Sequence, residues 1–208
     1  MLDSIEGALK GFYARNLEAH GAGAQGVGWK NEQAQIVRFD QLQKLLPAAG
    51  RFSVNDLGCG TGAFADYLAR HYQNFKYVGY DMLEEMIALS KSSLKGGNTE
   101  FLKIEKASDM QVADFSVASG IFNVRYGMDD QRWHQYILDT IHVLHNKSSK
   151  GFAFNALTTY SDKEFMKPEL FYSDPLALFD YCKKNFSKNV ALLHDYYQYD
   201  FTIIVRTI

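Results

Sequence analysis

Proline and cysteine are scarce in this chain, with 3 prolines and 2 cysteines among 208 residues. So few cysteines build no disulfide framework. Neither Cys59 nor Cys182 belongs to a Cys-x-x-Cys pair, which excludes zinc ribbons and dithiol redox motifs. Two reduced thiols in a cytoplasmic protein is the expectation that follows, and no metal is expected. Charge of one sign does not accumulate either: 22 basic and 24 acidic residues leave a net charge of −2. No run of Lys or Arg marks a nucleic-acid footprint, and nothing in the balance calls for a membrane surface. No apolar stretch approaches the roughly 20 residues of a membrane span. The N-terminus lacks the charged-then-apolar pattern of a signal peptide. Internal repeats and low-complexity linkers are missing too.

What is present suits one globular domain spanning residues 1–208. Hydrophobic residues make up 47% of the chain, and a chain of this length buries a core without cross-links. Aromatic residues reach 14%, with 13 Tyr and 15 Phe. The Tyr-rich C-terminal third can fill core or line a pocket for an organic substrate.

Periodicity divides the chain. Residues 4–20 carry Ile5, Leu9, Phe12, Tyr13 and Leu17 at helical spacing. The glycine-rich stretch 20–29 follows and breaks that helix. Together residues 1–30 read as an N-terminal helical cap and lid, ahead of a core over 31–208. Asn31 suits the cap of a second helix, with Ile36, Val37, Leu42, Leu45 and Leu46 facing inward up to Pro47. Strand-like segments 51–57, 76–80, 100–104, 114–119 and 151–157 then alternate with helix-like segments. Asp129 and Asp130 precede a helix carrying Trp133, Ile137 and Ile141, and Asp174-Pro175 starts another. Alternation of this kind predicts a doubly wound α/β fold with a parallel sheet. Two last strands, 189–194 and 201–205, are too close for a parallel crossover, so they form a hairpin. The expected architecture is a seven-stranded, mostly parallel sheet with an antiparallel last strand.

Between the first strand and its helix lies Asp56-Leu57-Gly58-Cys59-Gly60-Thr61-Gly62. Glycines there let the backbone turn tightly and approach a ligand at the carboxyl ends of the strands. Asp81 ends the second strand, where a carboxylate can accept hydrogen bonds from two ribose hydroxyls. A glycine-rich turn alone is a weak signal; strand, turn, helix and second-strand acid together are a strong one.

These residues resemble the first two motifs of class I S-adenosylmethionine-dependent methyltransferases, and the chain is similar to small bacterial members of that Rossmann-like family. The closing hairpin matches the family's antiparallel last strand, and the resemblance covers residues 31–208. It implies S-adenosylmethionine as cofactor. Gly58, Cys59, Gly60 and Gly62 would form the loop under its methionine part, with Asp56 near the amino group. Asp81 would hold the ribose and Met82 would pack on the adenine. Ser108, Asp109 and Met110 would occupy the adenine-edge position. Residues 119–123, including Ile121, Phe122 and Asn123, would lie near the reactive methyl. The family's Asn-Pro-Pro-Tyr type sequence does not occur there, which counts against the amino-nucleobase and amide N-methyltransferase groups.

A dinucleotide site is the rival, since Gly58-x-Gly60-x-x-Ala63 also fits that fingerprint and Asp81 would suit NAD. Three features oppose it. Asp56 would repel a pyrophosphate. A plain dinucleotide domain has no need of the final hairpin. The Tyr-x-x-x-Lys pair, Tyr72 and Lys76, precedes the second strand. A third class is a binding or regulatory protein that keeps the fold without the chemistry.

Methyl transfer requires alignment and desolvation more than acid–base groups. A base matters only if the nucleophile starts protonated. His20, His134, His194, Asp195 and Asn123 are the candidates in reach of such a role. For the substrate, Tyr13, Trp29, Phe122, Arg125, Tyr160 and Tyr172 are candidates, with 160–174 as a loop over the carboxyl edge. Arg38 and Arg125 can each grip a carboxylate, although surface exposure is the default for both. The expected partner is a small molecule, not nucleic acid or a membrane.

Overall fold

The computed structural model describes residues 31–93, 98–125 and 127–207, together with residues 7, 11, 15, 18, 19 and 21. The expected N-terminal helix and lid, with Tyr13, His20 and Trp29, lie outside the described residues apart from those isolated positions.

Seven strands form one sheet: β1 (Phe52–Leu57), β2 (Phe75–Asp81), β3 (Thr99–Lys103), β4 (Ala113–Ala118), β5 (Ser148–Leu157), β6 (Asn189–Leu193) and β7 (Asp200–Arg206). Their order is β3-β2-β1-β4-β5-β7-β6. Pairings among β1 to β5 are parallel, and β7 runs antiparallel to both β5 and β6. Sequence periodicity placed these strands to within a few residues at each end.

Five helices are described: α1 (Glu32–Leu42), α2 (Ala63–His71), α3 (Glu84–Ser93), α4 (Asp130–Asn146) and α5 (Pro175–Asn185). Three of their starts are encoded by side chains. Asn31, Asp129 and Asp174 each accept a backbone N–H of the first turn, from Ala34, Arg132 and both Leu176 and Ala177 respectively. Two cores lie on opposite faces of the sheet. Trp133, Ile137 and Ile141 of α4 and Leu178 and Cys182 of α5 cover one face. Phe39 and Leu42 of α1, Phe64 and Leu68 of α2 and Ile87 of α3 cover the other. Central strands are therefore buried on both faces, as the near-continuous burial of β1, β4, β5 and β7 shows.

Helix α1 ends its regular turns earlier than its apolar pattern predicts, passing into a 3-10 turn at Gln43–Leu45. Its buried face also differs. Ile36 and Val37 are only half-buried, while Gln35, Arg38 and Gln41 are buried. Arg38 is thus not a surface residue. Its guanidinium pairs with Asp200 at the start of β7 and donates to the Ala34 carbonyl. A long cationic side chain between α1 and the sheet is tolerable because a buried carboxylate meets it there. Asp200 stands 162 residues away in sequence, so no local pattern announces the pair.

Removing one partner leaves the other charge buried. Asp200→Ala is expected to lower unfolding free energy by about 3–5 kcal/mol. The double variant Arg38→Met/Asp200→Leu should regain most of that loss. Denaturant titration of the three proteins checks this; a loss under about 1 kcal/mol in the single variant would show the pair to be solvated.

Candidate functional site

Strand order turns at β1, with β2 and β3 on one side and β4, β5, β7 and β6 on the other. Loops leaving β1 and β4 diverge at such a point and open a crevice at the carboxyl edge. A cleft of about 980 Å³, counting the space at its open mouth, lies there. Residues 56–61 form its floor, Asp81, Met82 and Leu83 one wall, and Ser119, Gly120 and Ile121 the other. Gln35 and Phe39 reach in from α1, and Tyr136 from α4.

The floor is fastened to β2 by backbone hydrogen bonds. Gly58 and Cys59 N–H both donate to the Tyr80 carbonyl, at 2.8 and 3.1 Å. Gly60 N–H donates to Asp81 Oδ2 at 2.9 Å, and Leu83 N–H to Oδ1 at 3.0 Å. A carboxylate accepts about four hydrogen bonds, so Asp81 keeps acceptor capacity for a ligand. Gly58 has φ +75°, and a Cβ there would sit 2.4 Å from Ile121 Cγ2. Both the left-handed backbone and the missing space demand glycine. Gly62 caps α2 beneath the loop and packs against Phe101, outside the cleft lining.

Both acids of the cleft are perturbed. Asp56 is buried and accepts the Tyr77 hydroxyl at 2.6 Å. Burial pushes its pKa up to about 7; the Tyr77 hydrogen bond opposes that rise, and the neighbouring Asp81 charge adds to it. Burial also raises Asp81, against the backbone N–H groups of Leu83, Gly60 and Met82 that favour its charged form. The Cys59 thiol is driven well above its usual range by burial and by the Asp81 and Asp56 charges, so it is no thiolate nucleophile. Asp56 and Asp81 are the charged residues of the lining, and no Lys or Arg joins them among the described residues. Such a cleft favours a cationic ligand over an anionic one.

Comparison with known proteins agrees with this chemistry. A family described as a methyltransferase domain matches residues 54–147. A Mycobacterium tuberculosis protein named as a candidate methyltransferase, Rv1506c, is 46% identical over 164 residues, covering 78% of this chain and 98% of that protein. The chain belongs to the S-adenosylmethionine-dependent methyltransferase family. Solved structures share its fold. The N-methyltransferase NodS from Bradyrhizobium japonicum, in complex with S-adenosylhomocysteine, has a TM-score of 0.65 at 13% identity, covering 95% of this chain and 97% of that one. The magnesium protoporphyrin IX methyltransferase of Synechocystis, also with S-adenosylhomocysteine bound, has a TM-score of 0.63 at 12% identity, covering 87% and 90%.

In this methyltransferase, the cleft gathers Asp56, Gly58, Cys59, Gly60, Asp81, Met82 and Ile121 of the residues expected from sequence. Others stand elsewhere. Ser108 and Asp109 are exposed in the 3-10 turn Ala107–Asp109, where the Asp109 carboxylate accepts the Lys106 N–H at 3.2 Å. Met110 and Phe122 are core residues. The Asn123 side-chain oxygen accepts from Leu157 N–H at 3.1 Å. Arg125 donates to the Pro168 carbonyl and pairs with Asp130, tying the loop after β4 to the segment after β5. Tyr160 is exposed, and Tyr172 is half-buried with its hydroxyl accepting the Lys167 N–H at 2.9 Å. His134, His194 and Asp195 are exposed. Tyr72 packs edge-on against Phe52 at the amino ends of the strands, and Lys76 neighbours Ser53 there, so the Tyr-x-x-x-Lys pair lies at the edge opposite the cleft. Sequence reasoning missed Gln35, Phe39 and Tyr136. A signal for the first existed: Gln35 lies on the same helical stripe as Phe39 and Leu42, a polar residue on an apolar face.

Asp56 links pH to stability. Between the carboxyl's ordinary 3.8 and its native value of about 7, the folded protein holds a proton that the unfolded chain has released. Stability therefore falls as pH rises through that window. Asp56→Asn keeps an acceptor for Tyr77 and carries no charge. Without ligand, its melting temperature should exceed that of the parent by more at about pH 8 than at about pH 5. An equal gap at both would show that Asp56 is not buried as a charge.

Proposed function

We propose that this methyltransferase moves a methyl group from S-adenosylmethionine to a small-molecule acceptor. The observation that carries the cofactor assignment is the charge of the cleft. Two acids without a basic residue among the lining suit a ligand that bears an ammonium and a sulfonium, and repel a pyrophosphate. Asp81 would accept the ribose hydroxyls and Asp56 would take the ammonium, directly or through water. Gly58, Cys59 and Gly60 would pass under the methionine part with Gly62 shaping the loop from below, and Met82 would cover the adenine. Ile121 would close the far wall, while Ser108, Asp109 and Met110 stand outside the lining and take no part in this assignment.

The cofactor, when bound, supplies a methyl carbon activated by positive sulfur. The protein's share is to bind, align and exclude water. Phe39, Phe64, Met86 and Ile121 give the cleft apolar walls suited to that exclusion. A small acceptor is supported by the balance of 22 basic and 24 acidic residues, since a nucleic-acid substrate calls for a basic surface. Gln35 and Phe39 of α1 would stand on its side of the cleft, with the segment 160–174, which leaves β5 at the carboxyl edge, as the loop beyond them.

Calorimetric titration with S-adenosylmethionine, S-adenosylhomocysteine and NAD tests the cofactor assignment. Binding of the first two without NAD is expected; NAD alone would overturn it. Asp81→Ala should weaken S-adenosylhomocysteine by about 1.5–3 kcal/mol, the worth of hydrogen bonds to a charged group. An unchanged affinity in a variant with normal melting would remove Asp81 from the ribose role. Transfer of labelled methyl groups into a fractionated cell extract tests the acceptor. Label should appear among small molecules; label confined to protein or nucleic acid would overturn that part.

A further inference from the structure

Asn155 lies in β5, is completely buried, and does not line the cleft. Its side chain nevertheless reaches the wall of the cleft through both ends of its amide. Gly120 N–H donates to Asn155 Oδ1 at 2.8 Å, and Asn155 Nδ2 donates to Ser119 Oγ at 3.0 Å. The amide cannot face the other way, because a backbone N–H only donates and so must meet the oxygen. Pairing between β4 and β5 stops at Ala118 and Phe154. One residue further along, where the ladder no longer supplies a partner, the Asn155 side chain supplies it.

The segment it holds is the wall opposite Asp81. Ser119, Gly120 and Ile121 all line the cleft. Gly120 turns with φ +77°, a left-handed conformation that carries the chain from strand into wall. Ile121 then lands on Gly58, filling the space a side chain there would need. Any shift of this wall therefore moves Ile121 against the floor. An amide suits the position as no other side chain does. Leucine would fill the volume but leave Gly120 N–H unpaired, and an ionised carboxylate would add a third acidic charge, behind the two of the cleft.

We propose that Asn155 is a positioning residue: it pins Ser119 and Gly120 so that the cofactor cleft has its binding shape before the ligand arrives. The proposal deepens the cofactor reading and rests on it for its consequence in affinity. Its structural part stands on the unliganded protein.

Two variants separate the contributions. Asn155→Leu loses both hydrogen bonds, whereas Asn155→Asp keeps the acceptor for Gly120. In the unliganded protein, amide hydrogen exchange at Gly120 should quicken by about tenfold or more in Asn155→Leu, with exchange in β1 and β4 unchanged, and stay slow in Asn155→Asp. Affinity of Asn155→Leu for S-adenosylhomocysteine should fall about tenfold. Adding Ser119→Ala to Asn155→Leu should cost almost nothing more, because the two act through one contact. Asn155→Leu that melts lower yet keeps Gly120 protection and parental affinity would overturn the proposal, as would a full extra loss from Ser119→Ala. Failure of the parent protein to bind S-adenosylhomocysteine would strike the cofactor reading instead, and the exchange measurement would still decide the role of Asn155.

Discussion

Asp81 accepts backbone N–H groups from two different loops, and the cleft takes its shape from that arrangement. One oxygen holds Gly60 in the turn after β1, and the other holds Leu83 at the start of the chain after β2. Neighbouring parallel strands deliver their loops side by side at the carboxyl edge, but nothing in strand pairing fixes those loops to each other. A carboxylate between them does so, and it lines the cleft as well. The same choice has a cost. Asp56 stands nearby, also acidic, without a cation beside it in the lining. Two such charges persist only where the rest of the frame is stable enough to carry them, and that frame is a sheet buried on both faces.

The polar groups along the carboxyl edge work as one system of replacements for lost ladder bonds. Where β1 ends, the Tyr80 carbonyl takes two N–H groups of the departing loop. Beyond the last β4–β5 pair, Asn155 takes Gly120. Beyond that, Asn123 takes Leu157 N–H, and the Trp133 indole donates to the Phe122 carbonyl at 2.9 Å. At each of these points the departing backbone meets a protein partner, main chain or side chain, instead of water. Such bonds restrain the loops, and a restrained cleft loses less conformational entropy when a ligand enters.

Much of this was legible in the sequence, for a physical reason. Strand burial, helix caps and the glycine turn are local: Asn31, Asp129 and Asp174 announce helices a few residues ahead, and Asp56 to Gly62 sits within one turn. The closing hairpin followed from spacing alone. What sequence could not yield were partnerships across long separations. Arg38 looked like a surface cation because its partner Asp200 is 162 residues away. Asn155 is a polar residue within an apolar strand, and only the sheet order brings Ser119 and Gly120 to it. Gln35 and Tyr136 needed the packing of α1 and α4 over the switch point before they became cleft residues.

The division between legible and hidden residues follows the chemistry. The parts of the cleft that the sequence motifs announce are glycine conformations, backbone N–H groups and two carboxylates at strand ends. Those requirements leave motifs, because few residue types satisfy them. The rest of the lining includes side chains on α1 and α4, and many residue types can shape a pocket there. A motif therefore fixes what donates the methyl group, while the choice of acceptor is written in positions with no local pattern, on a fold that by itself leaves that choice open. Within this chain Gln35, Phe39 and Tyr136 are among the lining residues that the cofactor motifs leave unassigned.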